Sequence, residues 1–173
     1  SPFDRGFLFS DGVYEVVRYY GGHGFAMSRH LGRLRESMAA LQLELPEDQP
    51  GLDAISDELV RRNSQPDAYV YWQVTRGAAD REHTFPCPPA RPTVFAFTKP
   101  KPPLDRDGDP PAMTAMTHPE IRWARCAIKS ISLLPNVLAA QVANDAGADE
   151  AIFVRADGTV TEGTARSVFA VVN

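Results

Sequence analysis

The sequence predicts an α/β (α+β) protein with two domains. Along both halves of the chain, apolar residues either alternate with polar ones or recur at helical spacing, so strands and helices are mixed throughout. Between the halves, the prolines of residues 99–111 break any regular structure. We expect three parts: a small N-terminal α/β domain, an interdomain linker and the first part of a larger C-terminal domain, over residues 1–100, 101–111 and 112–173.

In the N-terminal half, residues 13–20 are rich in β-branched and aromatic side chains, which favour a strand. The Gly21-Gly22 pair predicts a hairpin turn toward residues 25–27. Ser28 is expected to cap a helix that runs to Leu41, because apolar residues recur there at helical spacing. The pattern further predicts a helix over residues 52–62 and two strands over residues 69–75 and 92–97. A polar loop is expected between those strands, over residues 76–89.

In the C-terminal half, residues 121–133 are mostly apolar and are predicted to be extended. Pro135 suits the first turn of a helix that ends near Gly147. An Ala-Asp-Gly turn at residues 156–158 predicts a hairpin between flanking strands. A last strand is expected over residues 167–172. Since the sequence stops there, we expect it to be a piece of a longer protein.

The composition excludes several classes of function. The net charge of −4 and the isoelectric point of about 5.5 provide no electrostatic attraction to nucleic acid or to an anionic membrane. The apolar runs are too short to span a bilayer. Cys87 and Cys126 lack CxxC spacing, which is typical of reduced thiols in a cytoplasmic protein. The four histidines show no metal-ligand spacing, so we predict no metal.

Lys129 lies in an apolar run, CAIKSISL, at residues 126–133. Apolar surroundings disfavour a charged amine, and the uncharged amine is the form that attacks a carbonyl carbon to make an imine. Taken alone, the segment favours the plainer interpretation of a strand lysine that points to solvent. The motifs elsewhere in the chain favour the chemical interpretation.

Three segments carry these motifs: DRGFLFSDGVYE at residues 4–15, IKS followed by LLPN at residues 128–136, and VTEGT at residues 160–164. Together they resemble, in order and spacing, the opening, cofactor-lysine and pyridine-ring segments of the D-amino-acid aminotransferases. The resemblance extends over the whole chain. It implies a two-domain fold type IV aminotransferase, whose C-terminal domain is incomplete here, and the cofactor pyridoxal 5′-phosphate.

The resemblance implies cofactor roles for four residues. Lys129 would hold the cofactor as a Schiff base and move the proton at the substrate Cα. Glu162 would pair with the pyridine nitrogen and strengthen the ring as an electron sink, and Thr164 belongs to the same cofactor-binding segment. Arg33 would bind the phosphate through its planar fork. Without the family, Glu162 would be interpreted as a solvated turn residue and Arg33 as the solvated flank of a helix.

The resemblance also implies a substrate site. Arg81 and His83, in the loop RGAADREHTFP at residues 76–86, would bind the substrate α-carboxylate together with Tyr14. In the family this loop reaches the active site of the neighbouring subunit, so a homodimer is expected. Taken alone, Arg81 and His83 are ordinary polar loop residues. The implied reaction is transamination of D-amino acids such as D-alanine with 2-oxo acids.

Two departures from the family pattern leave alternatives open. Ala165 lacks a hydroxyl that could bind the cofactor, and Arg166 adds a cation beside it. The family chain also continues past residue 173 with further phosphate contacts. A branched-chain L-amino-acid aminotransferase, an (R)-amine transaminase or an aminodeoxychorismate lyase of the same fold therefore remains an alternative. So does a truncated fragment without catalytic activity.

Overall fold

The computed structural model describes residues 1–109 and 111–172. The chain forms two compact units. Residues 1–106 and 127–131 make up the first unit, and the rest of the described chain makes up the second. Residues 127–131 thus group with the N-terminal part rather than with residues 112–173, where the sequence analysis put them. Pro110 of the predicted linker and Asn173 lie outside the described residues. The division of the whole protein into domains stays a prediction.

The first unit contains an antiparallel four-stranded sheet with helices packed on one face. Its elements are α1 (Arg5–Phe9), β1 (Gly12–Tyr20), β2 (His23–Gly24), α2 (Met27–Ala40), α3 (Leu52–Arg62), β3 (Ala68–Thr75) and β4 (Thr93–Pro100). The strand order is β2-β1-β3-β4. The alternation of side chains along β1 and β3 places one set of apolar residues against α2 and α3. The opposite set forms a partly exposed face.

The core of the first unit is centred on Trp72, which is fully buried. Its indole Nε1 donates a hydrogen bond to Ser56 Oγ at 2.7 Å, and Ser56 Oγ donates to the carbonyl of Leu52 at 2.6 Å. The buried Tyr19 donates its hydroxyl to Asp57 at 2.8 Å. Polar groups on α3 thus satisfy the polar ends of the two largest core side chains, which ties the helix to the sheet.

The second unit contains a mixed three-stranded sheet and one helix. Its elements are β5 (Ala115–Pro119), α4 (Leu134–Asp145), β6 (Glu150–Val154) and β7 (Val160–Gly163). The order is β5-β6-β7, with β5 parallel and β7 antiparallel to β6. Ala139 and Ala143 of α4 pack against Phe153. Because alanine has so small a side chain, the helix backbone can lie close to the sheet.

Most of the predicted elements are present. The helix over residues 52–62 is confirmed at both ends, and the helix that begins near Pro135 is present as α4. The hairpin between β6 and β7 turns through Gly158, whose φ is +85°. This left-handed conformation suits glycine at the end of the Ala-Asp-Gly turn.

Three predictions in the N-terminal half were wrong in detail. Ser28 does not cap α2, because Ala26 adopts a left-handed conformation with φ +50° and the helix begins at Met27. The return strand of the first hairpin is His23–Gly24 rather than residues 25–27. Strand β4 continues through Lys99 to Pro100, because its pairing with β3 extends to Ala68.

In the C-terminal half, two predictions differ from the structure and one strand was missed. Residues 121–129 form no strand, since residues 124–127 make a turn and the backbone N–H of Arg122 donates to the carboxylate of Glu120 at 3.0 Å. Residues 167–172 form no strand, since they lack a pairing partner and Phe169 is 90% exposed. Strand β5 was not predicted at all. It has only five residues and is held by its parallel pairing with β6.

Candidate functional site

Lys129 is placed by a short segment that runs beside the start of β1. The N–H of Tyr14 donates to the carbonyl of Lys129 at 3.0 Å, and the N–H of Ile131 donates to the carbonyl of Gly12 at 3.1 Å. The N–H of Lys129 donates to the buried Ser37 hydroxyl of α2 at 3.2 Å. These three bonds hold the backbone of Lys129 in one position on the first unit.

The Lys129 amine lies on the side chain of Tyr14. Its Nζ donates to the Tyr14 hydroxyl at 3.3 Å and lies 4.3 Å from the centre of the same ring. Lys129 is half-buried. Among the described residues, no carboxylate forms an ion pair with it. The structure therefore differs from both simple expectations, because the amine neither points freely into solvent nor lies in an apolar core.

Tyr14 begins a row of aromatic rings on the partly exposed face of the first sheet. Its ring stacks on Tyr71 with centres 5.6 Å apart, and Tyr71 stacks on Phe97 with centres 5.0 Å apart. Burial, together with the nearby Tyr14 phenol, raises the pKa of Tyr71 to about 12. The surface beside the Lys129 amine is therefore flat and aromatic, and its Tyr71 phenol stays protonated at neutral pH.

Arg33 projects from α2 onto Glu15, a fully buried carboxylate of β1. Its Nε and Nη2 donate to the two carboxylate oxygens at 2.5 and 2.8 Å, and His30 Nδ1 lies 2.8 Å from the second oxygen. Burial alone would raise the pKa of Glu15, but these partners outweigh it and hold that pKa below its usual range. The planar fork of Arg33 was predicted to bind phosphate, but its Nε–Nη2 edge binds Glu15 instead. The other edge of the guanidinium, formed by Nη1 and Nη2, remains available, and half of the side chain is exposed (50%).

Glu162 of β7 lies in a cluster of charged residues in the second unit. Arg122 Nη1 donates to one carboxylate oxygen of Glu162. The same guanidinium binds Glu120 through Nε at 2.9 Å and Nη2 at 2.6 Å. Arg122 is only 8% exposed, whereas Glu162 is 50% exposed. Glu162 therefore combines a fixed, buried cationic partner with an oxygen on its exposed side that can accept another hydrogen bond.

Thr164 is held by Glu150, a buried carboxylate of β6. Its N–H donates to Glu150 Oε1 at 2.9 Å, and its hydroxyl donates to the same oxygen. Arg166 Nη1 donates to the other oxygen of Glu150 at 2.8 Å. The unusual cation Arg166 is thus paired within its own unit, and its ion pair fixes the carboxylate that holds Thr164.

Arg81 and His83 lie on the exposed loop between β3 and β4. Both contact the ring of Phe9, with the Arg81 guanidinium 5.2 Å and the His83 ring 5.4 Å from its centre. Within residues 1–109, neither side chain bonds to Tyr14 or stacks on it. Within one copy of the chain, Lys129 therefore contacts Tyr14, and Arg81 and His83 both contact Phe9. Among the described residues, no contact connects Arg81 or His83 to Tyr14.

The family described as amino-transferase class IV matches residues 12–173. The chain belongs to the class IV aminotransferases. This confirms the family inferred from the three motifs. A D-alanine aminotransferase of Bacillus licheniformis is 43% identical over 168 residues, which are 96% of this chain and 58% of that protein. A D-alanine aminotransferase of Staphylococcus haemolyticus is 41% identical over 97% of this chain and 59% of its own length. The class IV chain thus spans about three-fifths of the relatives that it matches.

Solved structures confirm the predicted fold class for this class IV chain. A fold IV transaminase of Curtobacterium pusillum superposes with a TM-score of 0.74 at 26% identity, covering 95% of this chain and 58% of that one. A hypothetical aminotransferase of Mycobacterium tuberculosis, solved in a PLP-bound form, gives a TM-score of 0.74 at 22% identity over 95% of this chain and 59% of that one. The latter likeness concerns the fold alone.

Several residues around the candidate site were not predicted from the sequence. Glu15 could have been found, because it lies in register with the buried Val13 and Val17 of β1, where a charged residue requires a partner. Arg122 lies in a segment that was predicted to be extended, so its ion pairs with Glu120 and Glu162 were not expected. Phe9 has no polar group that would indicate a functional role. The partners of these residues are distant in sequence, so no local pattern indicates them.

Candidate metal-binding clusters and membrane-spanning helices are both absent from the described part of the chain. Residues 1–109 and 111–172 contain no cluster of three or more histidine, cysteine, aspartate or glutamate side chains that could hold a metal ion. No helix in those ranges combines the length and apolarity needed to cross a bilayer. Cys87 and Cys126 are free thiols on the surface.

Proposed function

We propose that the complete protein transfers the amino group of D-amino acids such as D-alanine to 2-oxo acids with pyridoxal 5′-phosphate as cofactor. The family and the two D-alanine aminotransferase relatives support the reaction. Arg81 and His83, placed together on one loop, support the preference for an α-carboxylate substrate. Because the chain spans only about three-fifths of those relatives, we propose the activity for the complete protein and not for this chain by itself.

The chemistry of the side chains fits this cofactor in both units. In the first unit, Lys129 offers an amine without a carboxylate partner, and Arg33 offers a guanidinium edge for the phosphate. In the second unit, Glu162 offers a half-exposed carboxylate for the ring nitrogen, and the Thr164 hydroxyl oxygen retains lone pairs that can accept a hydrogen bond. When bound, the cofactor serves as an electron sink for the negative charge that develops at the substrate Cα.

In the proposed reaction, Lys129 has two tasks. Its amine would hold the cofactor covalently and, once released from it, would serve as the base that accepts the proton from the substrate Cα. The Tyr14 hydroxyl, 3.3 Å from Nζ, orients the amine. Glu162, braced by Arg122, favours the protonated ring and so lowers the free energy of the carbanionic transition state.

Chirality depends on where the substrate carboxylate is bound relative to Lys129. Arg81 and His83 offer donors for the carboxylate, and Tyr14 offers a third beside the amine. Because one chain does not join Arg81 and His83 to Tyr14, we propose a homodimer in which the loop of one copy completes the site of the other. The two copies would then bind the carboxylate from opposite sides and expose one face of Cα to the base.

The single observation that carries this proposal is the contact between Lys129 and Tyr14. Within residues 1–109 and 111–172 this amine lies on a phenol and has no carboxylate partner, so it is not tied up in a structural ion pair. Its backbone is held by three hydrogen bonds, so the amine is presented from a rigid position.

The test is a substrate comparison with the complete protein and added cofactor. D-Alanine with 2-oxoglutarate should be turned over much faster than L-leucine or (R)-1-phenylethylamine. A preference for L-leucine or for the amine would favour the alternative transaminases. Release of pyruvate from aminodeoxychorismate without an amino acceptor would favour the lyase. If the complete protein forms no yellow complex with added cofactor, that result would favour the non-catalytic alternative.

A further inference from the structure

The ring of Phe9 is a contact shared by three side chains. The guanidinium carbons of Arg5 and Arg81 lie 4.8 and 5.2 Å from the centre of this ring, and the His83 ring lies 5.4 Å from it at an angle of 47°. Arg81 and His83 are otherwise exposed on their loop. Arg81 and His83 therefore share the ring of Phe9 as a common apolar contact.

Arg5 fixes the loop backbone at the residue between them. Its Nη1 donates to the carbonyl of Glu82 at 2.5 Å, and its Nε donates to Asp11 at 2.8 Å. Arg5 is only 3% exposed. The chain bends at Arg81 and at His83, and the N–H of Glu82 donates to the carbonyl of Asp80 at 2.8 Å. Holding the carbonyl of Glu82 therefore restrains its two neighbours, Arg81 and His83, beside the ring of Phe9.

Helix α1 also binds the start of the loop. The backbone N–H of Arg5 donates to the carbonyl of Gly77 at 2.8 Å, and the N–H of Ala79 donates to the carbonyl of Phe3 at 3.2 Å. Arg5 and Phe9 are four residues apart on α1, so their side chains lie on one face of the helix. The helix and the loop thus form one assembly through both backbone and side-chain contacts.

We propose that Phe9, held by Arg5, is a positioning residue that determines carboxylate specificity. It presents the Arg81 guanidinium and the His83 imidazole at a fixed spacing, which lowers the entropy lost when they bind an α-carboxylate. This inference rests on the proposed function, because it requires Arg81 and His83 to bind the substrate. The inference assigns a role to Phe9, which has no polar group and acts only through Arg81 and His83.

The first test compares Phe9→Leu with Phe7→Leu in the complete holoenzyme. Phe7 lies on the same helix but is 81% exposed, so its substitution is a matched control. Phe9→Leu should raise KM for D-alanine roughly 3- to 30-fold with little change in kcat, because only carboxylate binding is weakened. Turnover of an amine without a carboxylate should not change. Phe9→Tyr, which keeps the ring, should restore KM.

The second test measures the contact without using activity. In protein with isotope-labelled histidine, the Cε1 proton of His83 should show an upfield ring-current shift, assigned by its loss in His83→Gln. Phe9→Leu should abolish the shift and Phe7→Leu should keep it. If Phe9→Leu does not fold, Phe9→Met, which keeps much of the volume, is judged by the same two measurements.

The outcomes separate this inference from the proposed function. A wild-type enzyme that prefers D-alanine, with equal losses for D-alanine and the amine in Phe9→Leu, would overturn the positioning role alone. So would an unchanged KM or an unchanged His83 shift. A wild-type protein that does not use D-amino acids would overturn the proposed function and, with it, this inference.

Discussion

The Nζ atom of Lys129 lies 3.3 Å from the hydroxyl oxygen of Tyr14, a residue 115 positions earlier in the chain. The contact brings together the residue proposed to act as base and one of the three residues proposed to bind the substrate carboxylate. It exists because residues 128–131 run beside the first residues of β1. The proposed base and one of the proposed carboxylate-binding residues thus lie in the same compact unit.

The attachment site of the cofactor provides the first prediction. Lys129→Ala in the complete protein should abolish covalent cofactor binding and nearly all turnover, because no other amine occupies its position. Borohydride reduction followed by peptide mapping should find the cofactor on Lys129. The other two lysines, Lys99 and Lys101, are internal controls. Lys101 is the closer match, since its amine also lies on a tyrosine ring, 4.9 Å from the centre of Tyr69. Label on either control lysine would refute the assignment.

Glu162→Gln tests the electron sink. The amide keeps the shape of the side chain but removes the charge that favours the protonated ring, so kcat should fall by about 10-fold or more while KM changes less. Asp157→Asn in the neighbouring turn is the control and should leave both constants near wild type. An unchanged kcat under conditions where chemistry limits the rate would exclude Glu162 from this role.

Arg81→Ala tests the carboxylate site directly. The substitution removes a charge-assisted hydrogen bond, so kcat/KM for D-alanine should fall by about 10- to 150-fold. A primary amine without a carboxylate should lose much less, because it does not use Arg81. Steady-state kinetics with both substrates make the comparison. Equal losses would indicate general damage to the loop instead of a lost contact.

Arg33→Lys should affect stability even without cofactor. The ammonium cannot reproduce the two hydrogen bonds to the fully buried Glu15, so the free energy of unfolding of the apo protein should fall by about 1–3 kcal/mol. Urea unfolding with the cofactor removed measures this change. The double variant Glu15→Gln with Arg33→Lys should lose less than the sum of the single losses, because a neutral amide needs no cation. Weaker cofactor binding at unchanged stability would mean that Arg33 serves the phosphate alone.

The ion pair between Glu120 and Arg122 provides a prediction of how the free energy of unfolding depends on pH. The hydrogen bonds from Arg122 lower the pKa of Glu120 from 4.5 to about 2. Because the folded-state pKa is the lower one, the ionised Glu120 stabilises the fold above pH 4.5, and this stabilisation is lost as the pH falls toward 2. Glu120→Gln should therefore lower the free energy of unfolding at neutral pH and flatten its decline in acid.

Glu58→Gln is the control for this pH dependence. Glu58 also pairs with arginines but lies on the surface, so salt should screen its contribution. In moderate salt, its acid profile should match that of the wild type, while that of Glu120→Gln should not. Identical profiles for wild type and Glu120→Gln would show that the ion pair with Arg122 does not stabilise the fold.

The sequence by itself determined the elements whose signals are local. Helix α3 was predicted to the residue, and the β6–β7 hairpin was predicted from the Ala-Asp-Gly turn, since helical periodicity and turn chemistry act over only a few residues. The motifs also indicated which residues to expect in the candidate site, and these remain predictions. Even so, the cap of α2 was misplaced, because the left-handed conformation of Ala26 has no signature in its side chain.

Only the tertiary structure decided which distant residues meet. It placed Arg33 on Glu15, Arg122 on Glu162, and both Arg81 and His83 on Phe9. These contacts depend on which elements pack together, and a charged side chain reveals its need for a partner only once its burial is known. The parallel pairing of β5 with β6 has the same origin, because a five-residue strand is stable only through its neighbour.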